Sequence, residues 1–172
     1  HEGQHHEILR LAAALERDAS HPIAMAIMAH AKQQGVTIAA ASQSRALAGR
    51  GVTGVVEGRA LSLITPRHLA EQFPLDDALA ARIATLEDAG KSLAILTEDN
   101  RPLGLIAVRD EPREDALEGL AALSRLKVEA VMLSGDNART VSAIGAGLGI
   151  EAHGELMPED KANYVRDWQA QG

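Results

Sequence analysis

The sequence contains no cysteine, which excludes a disulfide framework and any thiolate metal site and fits a reducing compartment. Aromatic residues are nearly as scarce, since Phe73, Tyr164 and Trp168 are the three in 172 residues. Leu, Ile, Val and Ala must therefore fill any core, and an aromatic platform for stacking nucleic-acid bases is nearly excluded. No apolar run approaches the roughly 20 residues that cross a bilayer, so these residues alone carry nothing through a membrane. Cations are outnumbered, with 17 Lys plus Arg against 24 Asp plus Glu and a net charge of −7. That balance argues against general nucleic-acid binding, although a local cationic spot can still serve a small anion. What is present is 46% apolar residues, enough to bury the core of one large domain or two small ones.

The period of the pattern changes along the chain. Apolar residues from Ile8 to Leu15 recur at helical spacing, and Ser20 reads as the N-cap of a second helix through Pro22 that stops at Gly35. Arg45 to Leu47, Val52 to Val56 and Ala60 to Ile64 are short and partly β-branched, with Glu57-Gly58 as a hairpin turn. A helix from Asp76 to Asp88 ends at Gly90. Two more strands follow, Ser92 to Thr97 and Pro102 to Val108, joined by Asp99-Asn100. After Arg109 strand and helix alternate: a helix from Pro112 to Leu126, a strand from Glu129 to Leu133, a helix from Asn137 to Leu148 and another from Pro158. The expected fold is an α+β domain over residues 1–108, an antiparallel sheet with flanking helices, followed over 109–172 by part of a parallel α/β sheet. One or two parallel strands leave apolar edges uncovered, so sequence on both sides of the chain is expected to complete the second domain.

Several short segments carry candidate chemistry. In Met132-Leu133-Ser134-Gly135-Asp136-Asn137 an apolar strand ends in a hydroxyl, a glycine, a carboxylate and an amide where the next helix starts. This is a ligand position at the carboxyl edge of a parallel sheet, with a helix N-terminus suited to phosphate. The same residues equally describe an ordinary turn capped by Asp136 or Asn137. Lys161 lies in the first turn of a helix, against the dipole, where it either neutralises a phosphate or is simply solvated. Gly49-Arg50-Gly51-Val52-Thr53-Gly54 satisfies the dinucleotide expression, but a strand follows where that fingerprint needs a helix, so the Rossmann reading is rejected. Gly145, Gly147 and Gly149 lack the Lys-Ser/Thr of a phosphate loop and read as a loosely packed helix with its C-cap. Glu16 and His21 flank the join of the first two helices. His1, His5 and His6 could chelate a metal or be a solvated chain end.

Taken in order, these segments resemble the heavy-metal class of P-type ATPases. Glu16-Arg17-Asp18-Ala19-Ser20-His21-Pro22 is similar to that class's Glu-x-x-Ser-x-His-Pro signature, with Ala19 in place of the usual first serine, and Gly49-Arg50-Gly51 falls where its Gly-x-Gly follows. Asp110-Glu111-Pro112-Arg113 resembles the hinge Asp-x-x-Arg. Ser134-Gly135-Asp136-Asn137 resembles Thr-Gly-Asp-Asn, with serine for threonine, and Pro158-Glu159-Asp160-Lys161 resembles Pro-Glu-Asp-Lys. Arg45-Ala46-Leu47 leading into Gly49 most resembles the zinc and cadmium exporters. The Asp-Lys-Thr-Gly-Thr and Gly-Asp-Gly-x-Asn-Asp segments of the class are not among the 172 residues.

The resemblance implies a nucleotide-binding domain up to about Val108 and part of a haloacid-dehalogenase-like phosphorylation domain from Arg109. It also implies ATP and Mg²⁺ as cofactors, and the membrane and actuator parts of the same pump as partners. Glu16 would accept from the adenine amino group, His21 would contact the ring, and Gly49 and Gly51 would let the nucleotide approach the backbone. Ser134 and Lys161 would hold phosphoryl oxygens, Asp136 would sit beside the phosphates and Mg²⁺, and Asp110 with Arg113 at the hinge. The expected piece is monomeric, faces the cytoplasm, and binds ATP or ADP without hydrolysing it. The pump as a whole would form an aspartyl-phosphate. Two alternatives remain open: a haloacid-dehalogenase-class phosphatase, for which Pro112 two residues after Asp110 is unsuitable, and a non-enzymatic metal module built on His1, His5 and His6.

Overall fold

The structure, a computed structural model, describes residues 2–109 and 115–171. The chain folds as two compact units. One runs up to Ile83 and resumes at Leu93–Val108, and the other joins Ala84–Ser92 to the residues from Arg109 onward.

Two helices open the first unit, α1 (Glu2–Glu16) and α2 (Pro22–Gln33). Every residue from Leu11 to Leu15 in α1 is buried, so this helix is enclosed all round rather than amphipathic. Its three consecutive alanines let neighbouring backbones come close, which is how a chain with so few aromatics fills its centre. The cap of α2 is His21 and not Ser20: Pro22 occupies the first helical position, and the backbone N–H of Ala24 donates to His21 Nδ1 at 3.3 Å. An imidazole nitrogen that accepts does the work of a serine oxygen there.

Strands β1 (Ala41–Leu47), β2 (Gly51–Val56) and β3 (Arg59–Ile64) follow, then α3 (Pro66–Gln72) and α4 (Asp77–Asp88), and then β4 (Lys91–Glu98) and β5 (Arg101–Arg109). The five strands lie in the order β1-β2-β3-β4-β5, with β1 to β4 paired antiparallel in sequence. Both expected hairpin turns form with left-handed residues, Glu57 and Gly58 in one and Asp99 and Asn100 in the other, as two-residue turns between right-twisted strands require. The sequence did not foresee α3, although Thr65 caps it by accepting from the His68 N–H and Pro66 starts it.

Alternate residues of the strands face α1 and α2. Val52, Val56, Leu61, Leu63, Ala94 and Leu96 join Leu11 to Leu15 and Ile27 in one cluster. Leu93, Ile95 and Thr97 are buried as well, so β4, with period-two side chains, is covered on both faces. Ion pairs tie the turn end of this sheet to α1. Arg10 reaches both Glu7 and Glu57, at 2.8 and 2.7 Å, and Arg59 reaches Glu98 at 2.7 Å. The guanidinium hydrogen bonds hold the carboxyls of Glu7, Glu57 and Glu98 below their usual range. Their stabilisation is present above the ordinary carboxyl range and is lost as the pH falls through the lowered values.

The second unit holds α5 (Ala116–Arg125), β6 (Val131–Leu133), α6 (Ala138–Leu148), β7 (Glu151–His153) and α7 (Pro158–Gln171). β6 and β7 pair in parallel, the βαβ grammar expected after Arg109, and α6 packs on β7. Gly145 is closely rather than loosely packed, because a Cβ there would run into Ala152. Within this unit Arg139 pairs with Asp88 at 3.0 Å, and the Thr140 hydroxyl donates to the Lys91 carbonyl at 3.0 Å. The first unit is thus an α+β domain with an antiparallel sheet and flanking helices, and the second holds a small parallel α/β sheet.

Gly51 has φ +134°, and a Cβ on it would collide with the Leu63 carbonyl and lie 2.8 Å from Ile64 Cα. Gly49 has φ +68° with open space around it. Urea melts should therefore separate them: Gly51→Ala is expected to lose about 3 kcal/mol or more, and Gly49→Ala only the about 1–2 kcal/mol of a left-handed alanine.

Candidate functional site

A cavity of about 420 Å³ opens in the first unit where α1 ends, α2 begins and the strands β2, β3 and β4 have their pocket-side ends. Glu16, His21, Gly49 and Gly51 line it together, with apolar walls that include Ile23 and Leu63. Four residues from three stretches of sequence thereby meet at one place, in a volume suited to a small-molecule ligand.

Glu16 is the last residue of α1 and is 2% exposed. The buried run before it carries the side chain inward, and a carboxylate at a helix C-terminus faces the negative end of the dipole. His21 Nε2 lies 3.1 Å from Glu16 Oε2, but Oε2 is buried and no hydrogen bond of good geometry reaches it. Burial pushes the Glu16 carboxyl up, and His21 partly offsets that. The tautomer follows from the cap: an Nδ1 that accepts from Ala24 leaves the proton of a neutral ring on Nε2, facing the carboxylate. A buried acceptor with an unfilled lone pair, in an apolar cavity, is a place for an N–H or O–H donor on a ligand.

Gly51 is explained from inside the protein, since its missing Cβ lets β2 lie against the Leu63–Ile64 backbone. Gly49 has no such contact. Between them Arg50 is held at both backbone groups, its N–H donating to the Leu47 carbonyl at 2.8 Å and its carbonyl accepting from Thr65 N–H at 2.9 Å. Arg50 and Thr65 both line the cavity, and sequence reasoning did not single out either. Arg50 stood inside the rejected dinucleotide expression, and Thr65-Pro66 was an unread helix-start signal.

The second unit arranges Ser134 and Asp136 as a closed pair. Ser134 Oγ donates to Asp136 Oδ2 at 2.9 Å and accepts the Asp136 N–H at 3.1 Å. The cap of α6 is Asn137, which accepts from Arg139 N–H at 2.9 Å, so the Asp136 carboxylate is not engaged in capping. Ser134 N–H donates to the His153 carbonyl, Glu155 N–H to the Asp136 carbonyl and Leu156 N–H to the Ser134 carbonyl. These bonds lay residues 153–156 alongside the loop, and α7 starts two residues later. Gly154 makes that approach feasible, because a Cβ would stand 2.6 Å from Ala138 Cα and 3.0 Å from the Asp136 carbonyl. Lys161 is half-buried in the first turn of α7, its ammonium unpaired among the described residues. Asp160 accepts from Met157 N–H at 2.8 Å and supplies the acid that the helix start favours.

Asp110 and Arg113 lie outside the described residues, as does His1 of the metal alternative. His5 and His6 line a separate groove with His30. Among the described residues no three His, Cys, Asp or Glu side chains are grouped so as to hold a metal ion, and no helix is long and apolar enough to cross a membrane.

Comparison with known proteins matches residues 1–172 to the haloacid dehalogenase-like hydrolase family. The chain is 37% identical over 172 residues to the "Probable copper-exporting P-type ATPase V" of Mycobacterium tuberculosis, covering 96% of this chain and 22% of that protein. It is 38% identical over 162 residues to the "Zinc/cadmium/lead-transporting P-type ATPase" of Escherichia coli, covering 94% and 21%. The crystal structure of a zinc-transporting PIB-type ATPase in the E2.Pi state matches with TM-score 0.65 and 36% identity, over 97% of this chain and 27% of that one. The chain thus spans about a fifth of the length of the curated relatives it matches.

The poorly satisfied carboxylate generates a stability test. Replacing Glu16 by Gln removes a buried charge, so the free protein is expected to gain about 1 kcal/mol at neutral pH, about 2–4 °C in Tm. A carboxyl raised by burial costs stability above its folded value and ceases to as the pH falls through it. The gain should therefore shrink on acidification, and a thermal melt series that shows no gain at pH 7 contradicts this account of Glu16.

Proposed function

The chain belongs to the haloacid dehalogenase-like hydrolase family, and from that premise we propose that it is the nucleotide-handling part of a heavy-metal cation-transporting P-type ATPase. The observation that carries this reading is Glu16 Oε2, buried at the wall of a largely apolar cavity, with His21 Nε2 3.1 Å away but no hydrogen bond of good geometry reaching it. An exocyclic amino group on a flat, weakly polar ring supplies both the missing donor and the apolar surface, and adenine has both. Glu16 accepts from that amino group. His21, half exposed at the mouth with its ring fixed by the helix cap, lies against the base. Gly49, open on its Cβ side, leaves room for the ligand at the backbone, and Gly51 keeps the neighbouring strand end narrow.

Phosphoryl transfer is mostly positioning and electrostatics, and the second unit has groups for both. Lys161 offers an uncommitted cation at a helix start that already points N–H groups outward. Ser134 has its one proton on Asp136, so to donate to a phosphoryl oxygen it must exchange that partner. Asp136 would then have a carboxylate released. Mg²⁺ takes one or two carboxylates together with substrate phosphates, and Asp136, with one oxygen unbonded and the side chain exposed, fits as such a ligand. The metal would neutralise phosphate charge. Asp110 is assigned to the hinge by its place in the Asp-x-x-Arg segment.

In the intact pump this part would present ATP for formation of an aspartyl-phosphate, on the cytoplasmic face, with the membrane and actuator parts as its partners. Export of zinc or cadmium is the finer reading and rests on Arg45-Ala46-Leu47. The 172 residues hold no Asp-Lys-Thr-Gly-Thr segment, so the chain is expected to bind nucleotide without turning it over. Titration calorimetry should show ATP and ADP binding that weakens at least about tenfold in both Glu16→Ala and His21→Ala. If both variants bind as the parent does, the adenine assignment is wrong, and steady release of phosphate from an ester by the purified chain would favour a phosphatase instead.

A further inference from the structure

Among the residues lining the Glu16 cavity, Arg50 is the one permanently charged cation. Other arginines of this unit meet carboxylates: Arg10 meets Glu7 and Glu57, Arg59 meets Glu98 and Glu7, and Arg67 meets Glu71. Arg50 makes no side-chain hydrogen bond or ion pair with any described residue, despite a chain that carries an excess of seven negative charges. Nor is its place accidental to a loose loop. Both backbone groups of Arg50 are bonded within the protein, to Leu47 and Thr65, and the left-handed Gly49 before it fixes the direction in which the chain turns. The side chain therefore starts from a fixed point at the cavity wall and is free only beyond Cβ.

A cavity with a buried carboxylate acceptor and a separate unpaired guanidinium asks for a ligand with a donor at one part and an anion at another. We propose that Arg50 binds the phosphate next to the ribose of the nucleotide, and that it sets the preference of this pocket for nucleoside 5′-phosphates over bare nucleosides. The proposal rests on the reading of the cavity as an adenine site. It adds to that reading a side chain that holds the anionic part. The planar guanidinium can give two parallel N–H bonds to phosphate oxygens, which a lysine at the same place cannot. It also places the phosphate contact on the turn between β1 and β2, where the open side of Gly49 leaves the approach clear.

The test is a set of calorimetric titrations with adenosine, AMP and ADP, without added divalent metal, on the parent, Arg50→Gln and Arg50→Lys. The parent is expected to bind AMP and ADP at least about tenfold more tightly than adenosine, the worth of a charge-assisted hydrogen bond. Arg50→Gln should bring AMP and ADP to the adenosine level while leaving adenosine itself unchanged, and Arg50→Lys should restore part of the difference. Because Arg50 is exposed, the melting temperature should stay that of the parent, which separates a lost contact from a lost fold. If Arg50→Gln keeps the parent's ratio of ADP to adenosine affinity, the assignment of Arg50 fails and the adenine site stands. If the parent binds none of the three, both fail together.

Discussion

The enclosure of α1 is the constraint on which the first unit depends. A helix whose residues 11 to 15 are all buried cannot rotate or slide without opening the core, so the residue that ends it has no choice of position. That residue is Glu16. Side chains of Leu and Ala, packed to near-crystal density, thus hold a carboxylate in a place where its own solvation disfavours it. The cost of a poorly met acceptor is offset by apolar burial elsewhere.

His21 likewise joins the fold to the site. One imidazole closes the start of α2 through Nδ1 and faces Glu16 through Nε2. Because the cap bond settles which nitrogen accepts, it settles which one carries the proton toward the carboxylate. Structure and site chemistry share one side chain. Pro22 after it rigidifies the arrangement by fixing the backbone at the first helical residue.

Local signals were legible where a residue type has few conformational options. Glu57-Gly58 and Asp99-Asn100 announced their hairpins, Gly90 and Gly149 their helix ends, and Asn137 was one of two proposed caps. The convergence of Glu16, His21 and the Gly49–Gly51 turn came from the resemblance, since no periodicity joins residues thirty positions apart. Other features escaped because they depend on tertiary contact. The three residues of β7 are too short to show a period, and they form a strand only because β6 lies beside them. Ser20 seemed the better cap by propensity, yet Pro22 had already set the boundary one residue later. Gly51 also accommodates the chain's own backbone, a contact visible only once β2 and β3 are in register.

The two ends of the first sheet differ in kind. Gly51 pairs with Ile64 at one end of β2 and Val56 with Arg59 at the other, a span of about 17 Å at 3.4 Å per residue. The paired arginines and glutamates cluster around the second end, while the cavity opens at the first. Ions in physiological solution screen charge over about 8 Å, so the carboxylates at the turn end lie about two screening lengths from the pocket. The acidic cluster at the turn end is thus electrostatically remote from the cavity, where the charge balance is local and set by Arg50 and Glu16.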